Sequence, residues 1–404
     1  MSTHVFPPST PGSSTPGHSA GDGQYKTPTV AQVIVERINA TYSREKAAQD
    51  GIYFWPDPLP TPGASFVPDP LVLFRSTSSS TTQGTSQSLR DEQQERIAVL
   101  PITIREATRL RDRDCVLNAI LSNGQNTSPD GLMQLPLGLV DIPAEQKRDV
   151  FCVDLHGSTG ALTGGPLFIA GAQNSGKATA LQTMLLWLMA RYTPSQLRCA
   201  VVDPNRDLEF LQNLPYTRAT DGSLLWTDGE TDEQLTQMAE SCMRMLTQRR
   251  ESYPNQRWEE NTFVQLRSRG AELPFLLLII SNYHSFVERF KAVDALKKLV
   301  LAFVEARALG AYIIVTSAEV SSRFFPTDLM GKMGTKIALF LNEQQRYDLV
   351  GRSPASEPIA GRGLMLTRDR RMHEVQLALP VAGEDESIRY EALKQEILWL
   401  AGQQ

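Results

Sequence analysis

The run Gly165-Pro166-Leu167-Phe168-Ile169-Ala170-Gly171-Ala172-Gln173-Asn174-Ser175-Gly176-Lys177-Ala178-Thr179 decides the fold. A short apolar strand enters a G-x-x-x-x-G-K loop, and a stretch rich in Ala, Leu and Met follows. Strand, glycine loop and helix in that order form the setting of a phosphate-binding loop. Glycines let the backbone curl so that several N–H groups converge on phosphate oxygens, and the helix N-terminus adds positive partial charge. The nucleotide-binding residues are therefore read as Gly171, Ala172, Gln173, Asn174, Ser175, Gly176, Lys177, Ala178 and Thr179, with Lys177 facing the β- and γ-phosphates of ATP. The competing reading is a glycine turn before a helix that carries one exposed lysine.

One position departs from the pattern. A Ser or Thr hydroxyl after the lysine coordinates Mg²⁺ in such loops, and this chain has Ala178. Thr179 lies about 100° further round the helix and cannot simply replace it. Phosphate binding survives this change, because backbone and lysine carry it, but coordination of Mg²⁺ is put in doubt.

Outward from the loop, short apolar segments alternate with longer amphipathic ones. Strands are expected at Val150–Leu155, Leu167–Gly171, Arg198–Asp203, Phe275–Ser281, Tyr312–Ser317 and Lys336–Leu341, with weaker ones at Gly363–Thr367 and Glu374–Leu379. Helices are expected at Lys177–Arg191, Asp232–Tyr253, Phe286–Ala308 and Asp385–Trp399. This alternation predicts an α/β fold with a parallel sheet covered on both faces. Leu135–Pro143 reads as a compact apolar segment and Thr103–Asn123 as helical. The expected organisation is a disordered tail (1–25), an ordered arm (26–72), a Ser/Thr-rich linker (73–95), a segment ahead of the core (96–150), the nucleotide-binding domain (151–385) and a C-terminal helix (386–404). The tail follows from composition, since 16 of the first 24 residues are Ser, Thr, Pro or Gly and such a stretch buries too little surface to offset its ordering entropy.

The second strand that matters lies in the segment Leu273–His284, about a hundred residues after the loop. In related nucleotide-binding folds such a strand ends in an acid that anchors the Mg²⁺ shell. Here it ends in Ser281-Asn282, neither of which carries charge, so neither anchors a divalent cation or acts as a general base. His284 is read as a capping or surface histidine in preference to a group that polarises water. No side chain is assigned a catalytic role, and no metal site built by the protein alone is read.

Together these segments resemble the FtsK/SpoIIIE branch of the additional-strand, RecA-like P-loop ATPases, and within it the motor domains of EccC, the multi-domain ATPase of type VII secretion. The resemblance rests on Leu135-Pro-Leu-Gly-Leu-Val-Asp141-Ile-Pro-Ala-Glu-Gln146, the phosphate loop, Val201-Val-Asp203-Pro-Asn-Arg206-Asp-Leu-Glu209, Arg307-Ala-Leu-Gly310 ahead of Thr316-Ser317, and Gly361-Arg-Gly363. It extends to the arm at Thr29–Pro60. It implies a RecA-like sandwich with an N-terminal arm, ATP as ligand, and partners among secretion ATPase subunits or small secreted substrates. DNA enters by family analogy alone, and an oligomer is compatible with it. Ala178, Ser281, Asn282, Asn205 and Ser317 are its departures, and they resemble a later, degenerate motor used for control or docking.

Four further charged side chains stand out, at 203, 249, 250 and 307. Arg307 is a candidate sensor or finger toward a neighbouring subunit's γ-phosphate, against a solvated residue at a helix end. Arg249-Arg250 reads as a solvated helix end. Asp203, at the C-terminal end of a strand, is a candidate near the nucleotide, against a capping role of similar weight. The apolar face Leu235, Met238, Cys242, Met245, Leu246 reads as core, with a partner groove as the minority alternative. Net charge is −5, from 40 Lys and Arg against 45 Asp and Glu, which argues against a chain-wide attraction to nucleic acid. The four cysteines show no CxxC spacing, which excludes zinc-ribbon and thioredoxin-like chemistry. Cys199 and Cys242 read as small buried hydrophobes. The longest apolar run, Met184–Ala190, is far shorter than a membrane span, so a cytoplasmic location is expected, peripheral to a membrane complex if the resemblance holds. Three functions remain: a weakened ATP-binding module that regulates or docks substrates in a secretion ATPase, an active motor moving DNA or protein, and an interaction domain without nucleotide.

Overall fold

The run Phe275–Ile280 is apolar on both sides, and the computed structural model shows why. It describes residues 133–145, 147–157, 163–289, 293–351, 359–367, 370–381 and 385–402. The expected tail, arm, linker and the helix at Thr103–Asn123 lie outside the described residues.

Ten strands form one sheet: β1 (Gln134–Ile142), β2 (Lys147–Asp154), β3 (Leu167–Ala170), β4 (Leu197–Val202), β5 (Trp226–Thr227), β6 (Phe275–Ile280), β7 (Ala311–Ser317), β8 (Thr335–Ala338), β9 (Arg362–Leu366) and β10 (Met372–Leu377). Their order is β2-β1-β10-β9-β8-β3-β7-β6-β4-β5. The six strands from β8 to β5 run parallel. From β8 onward through β9, β10, β1 and β2 every pairing is antiparallel. The expectation of a parallel sheet holds for the half that carries the phosphate loop and is corrected for the other half, where hairpins replace helical crossovers. β1 starts at Gln134 and pairs with β10, so the sheet extends into the segment expected to precede the core, and residue 150 falls inside β2.

Eight helices cover the described part: α1 (Lys177–Arg191), α2 (Asp232–Ser252), α3 (Thr262–Ser268), α4 (Tyr283–Arg289), α5 (Val293–Glu305), α6 (Thr327–Lys332), α7 (Glu343–Val350) and α8 (Glu386–Gly402). The helix expected at Phe286–Ala308 is two, α4 and α5. Alternation along β6 divides the interior. Phe275, Leu277 and Ile279 join the core beneath α1 and α8, while Leu276, Leu278 and Ile280 join the core beneath α2 and α5. With all six fully buried, each contributes about 1.5–3 kcal/mol on removal from water.

α2 starts well because Thr231 accepts from the N–H of Gln234, and Asp232 and Glu233 sit where the helix dipole favours acids. Its Leu235, Met238, Cys242 and Leu246 are buried in the second core and Met245 packs against it, so this face is core and not a groove. Cys199 and Cys242 are fully buried, and burial pushes both thiols up to about 12. Among the described residues no helix is long and apolar enough to cross a membrane.

Candidate functional site

β3 lies between β7 and β8, so the loop leaving it is held from both sides. The N–H of Gly171 donates to Ser317 O at 3.1 Å and that of Ala172 to Phe340 O at 2.7 Å. The curl is tight. A Cβ at Gly171 would lie 2.3 Å from Ser175 Oγ and 2.8 Å from Leu339 Cβ, so only glycine fits there. Asn174 (φ 60°) and Gly176 (φ 100°) take left-handed backbone, and at Gly176 a side chain would also meet Gly361 N at 3.1 Å. Gly361 N–H donates to Ser175 O at 2.9 Å, so the Gly361-Arg362-Gly363 turn clamps the loop from its other side. Ser175 Oγ is buried inside the curl without a hydrogen-bond partner.

Lys177 lies across this loop. Its Nζ donates to Gly171 O at 2.6 Å and Ala172 O at 2.8 Å. Burial pulls the ammonium down from its usual range to about 8, with nearby Asp207 acting the other way. The N–H groups of residues 177–179 open α1 and have no acceptor within the helix. The amides that open α1 and the lysine lying across the loop form a place for an anion. Ala178 and Thr179 are half-buried in that first turn, and Ala178 offers no oxygen to a metal.

The end of β6 is built differently. Ser281 is buried, its N–H donates to Val202 O at 2.8 Å, and its Oγ donates to Asp207 Oδ2 at 3.3 Å. Asn282 takes left-handed backbone (φ 53°). Its N–H donates to Thr316 Oγ1 at 2.8 Å, its Oδ1 accepts from Ala318 N–H at 3.1 Å, and its Nδ2 donates to Ser285 Oγ at 2.6 Å. Asn282 therefore ties the ends of β6 and β7 together and starts α4. A carboxylate there would lose the amide donor and keep the unfavourable backbone.

Asp203 follows β4 and is fully buried. Its Oδ1 accepts from Asp207 N–H at 3.1 Å and its Oδ2 from Leu208 N–H at 2.7 Å, which is a capping geometry. Burial pushes its carboxyl up to about 7 in spite of those two bonds. The acid that turns toward the phosphate loop is Asp207, which the sequence reading passed over. The only signal for it was an extra acid four residues beyond Asp203. Burial raises its carboxyl above the usual range, with Ser281, Lys177 and Asn205 opposing and Glu386 adding.

The remaining candidates separate. His284 packs its ring on Phe324 with centroids 4.4 Å apart and lies between Glu288 (3.5 Å) and Glu319 (3.7 Å). Ser317 Oγ donates to Glu319 O at 2.7 Å. Arg307 precedes β7, whereas the phosphate loop meets Ser317 at its other end. Seven strand residues span roughly 20 Å, so Arg307 does not reach this chain's own loop. It pairs with Glu260 at 2.5 Å and is not a free solvated residue. Arg249 is likewise no solvated helix end. It is buried, donates to Leu309 O and to Pro274 O (2.6 Å), and stacks on Phe263 at 5.0 Å. Arg250 is exposed.

For Mg²⁺, the donors at hand are one carboxylate, Asp207, beside the hydroxyl of Ser281. Mg²⁺ on a nucleotide takes one or two carboxylates, phosphate oxygens and several waters, so this set fits a metal held chiefly by phosphates and water. Among the described residues no group of three or more His, Cys, Asp or Glu could hold a metal by itself.

The model of the FtsK/SpoIIIE family matches residues 133–376. Among curated proteins, the ESX secretion system protein EccC of Geobacillus thermodenitrificans is 27% identical over 267 residues, covering 65% of this chain and 17% of that protein. The chain spans 17–21% of the length of three such secretion proteins. Among solved structures, EssC (ATPases 2 and 3) from Geobacillus thermodenitrificans superposes with a TM-score of 0.56 at 25% identity, over 69% of this chain and 50% of that one. Thermomonospora curvata EccC (ATPases 2 and 3) in complex with a signal sequence peptide shares the fold, with a TM-score of 0.51 at 23% identity over 69% and 49% of the two chains.

Proposed function

The chain belongs to the FtsK/SpoIIIE family, its sheet being that of a RecA-like ATPase, and from that premise we propose that it binds ATP on residues 171–179 and hydrolyses it slowly or not at all, as a regulatory or substrate-docking module of a type VII secretion-like ATPase. The observation that carries this reading is the pairing of a phosphate loop that keeps its glycines and Lys177 with a β6 end whose second residue, Asn282, is committed to holding two strands together.

The residues act as follows. The amides of the first turn of α1 and of the preceding loop orient the triphosphate, and Lys177 exchanges its bonds to Gly171 O and Ala172 O for bonds to the β- and γ-phosphates. Asp207 and the Ser281 hydroxyl are the groups that would face a nucleotide-bound Mg²⁺, which would supply charge neutralisation there. Ala178 gives it no hydroxyl. With neutral side chains at 281 and 282, no carboxylate on the β6 end takes a proton from an attacking water. A relative whose structure holds a signal sequence peptide supports a short secreted segment as the partner class, and the resemblance supports other ATPase subunits as neighbours.

Calorimetric titration of the full chain with ATP, combined with a phosphate-release assay, tests the reading. Binding with turnover at background is expected. Turnover well above background would return the chain to the active motors, and absence of binding would leave a protein-interaction domain.

A further inference from the structure

We infer that Asp207, carried on the loop after β4, is the acid that faces the metal-bound end of a nucleotide in this chain, in place of the carboxylate missing from β6. The inference rests on the nucleotide-binding reading above and extends it to the metal.

The geometry begins with the sheet. β4 and β6 are adjacent and parallel, with Val202 opposite Ile280, so both strands end at the same level. Whatever follows β4 closely then lies beside whatever follows β6. Asp203 folds the β4 loop back by accepting the N–H groups of Asp207 and Leu208, and α1 steadies it through Gln182 Nε2 donating to Asp207 O at 3.4 Å. The turn includes Arg206 in left-handed backbone and sends consecutive side chains in opposite directions. Arg206 pairs with Asp228 and Glu230, both at 2.7 Å, and lies 3.9 Å from Glu209. Asp207 turns to Ser281, whose Oγ donates to its Oδ2 at 3.3 Å, and stands close enough to Lys177 for each to influence the other's ionisation.

Two comparisons favour Asp207 over the other acids nearby. Asp203 is fully buried with each carboxylate oxygen already accepting an amide, so it has a structural task. Asp228 is engaged by Arg206. Asp207 instead shares its surroundings with the phosphate-loop lysine and the hydroxyl at the β6 end. Ser281 fits there because a hydroxyl can donate to a neighbouring carboxylate, whereas an aspartate at the same place would repel it. The acid has therefore moved from one strand end to the next, while position 282 has gained no base. That combination gives metal-assisted binding without efficient hydrolysis.

The test is the affinity of the full chain for a non-hydrolysable ATP analogue, measured with Mg²⁺ and with a chelator. The unmodified chain should bind more tightly with Mg²⁺ by about tenfold or more, the scale on which a metal's supporting carboxylate acts. Asp207→Asn should bring that ratio close to one while binding in chelator is kept or strengthened, since a carboxylate no longer repels the bare phosphates, and that retained binding also shows that the variant is folded. Adding Ser281→Asp to Asp207→Asn should restore the ratio by returning the acid to β6. A Mg²⁺ ratio that persists in Asp207→Asn, or that is absent from the unmodified chain, overturns the inference while the nucleotide reading stands. Lack of binding in both buffers overturns both.

Discussion

The ends of β3 and β6 lie in one sheet, separated by β7 alone, and do opposite things with their backbone. After β3 the chain curls through Asn174 and Gly176 in left-handed backbone into the open amides of α1, and Lys177 lies across the curl. After β6 the chain also takes a left-handed residue, yet Asn282 turns its amide inward to lace β6, β7 and α4 together. The first end leaves the amides of its helix for a ligand and the second satisfies its own. Similar backbone conformations thus give a binding site or a structural tie according to where the polar atoms find partners.

Lys177→Ala breaks the comparison at its strongest point. A hydrogen bond to a charged group contributes about 1.5–3 kcal/mol, so ATP affinity should fall roughly ten- to a hundredfold. Thermal stability should change little, since Lys177 is only half-buried. Calorimetry and a melting curve on the same variant separate these effects. Unchanged affinity would mean that the loop holds no phosphate.

Asn282 gives the reciprocal case, in which stability moves and binding does not. Asn282→Ala removes two side-chain hydrogen bonds and keeps a left-handed backbone that asparagine tolerates better than alanine. A loss of about 2 kcal/mol is expected, read as a lowered melting temperature with ATP affinity retained. Asn282→Glu should cost stability too and yield no gain in phosphate release. A gain would show that the position still faces the nucleotide.

What the sequence made legible follows the same division. The phosphate loop was readable because all its parts are local: strand, glycines, lysine and helix stand in one run of fifteen residues. β6 and β7 were readable because burial on both faces leaves a long apolar run, whereas the two residues of β5, Trp226 and Thr227, gave no such signal. Asp207 was not, since its place beside Ser281, 74 residues further along, depends on β4 and β6 being neighbours in the sheet. Arg249 was missed for a related reason, as a buried arginine bonded to two distant carbonyls looks in sequence like any helix-ending base. β1 was disguised by Pro136 and Gly138, which sit at a register shift of its hairpin with β2.

pH sharpens the contrast, because one strand end titrates and the other cannot. Burial sets the Lys177 ammonium at about 8, and phosphates placed against it would raise that value. Binding then takes up a proton whenever the free chain has lost one. In chelator, affinity should accordingly be flat below pH 8 and fall as pH rises through it, by at most about tenfold per pH unit. Ser281 and Asn282 contribute nothing to this slope. Affinity that stays level to pH 9.5 would separate Lys177 from the phosphates.

The smallest expected effect belongs to Arg307, and it distinguishes one chain from several. Arg307 lies at the opposite end of β7 from the loop, partly exposed and paired with Glu260. Exposed pairs contribute about 0–1 kcal/mol, so Arg307→Ala should shift the melting temperature by little. In a single chain it should leave ATP affinity untouched, because the length of β7 separates the two. A finger acting across an interface would behave otherwise. Any phosphate release that rises with protein concentration would then be lost in Arg307→Ala, while affinity at high dilution stayed the same. If release is independent of concentration and of Arg307, the side chain is a tie between the turn before β7 and the residues ahead of α3, and nothing more.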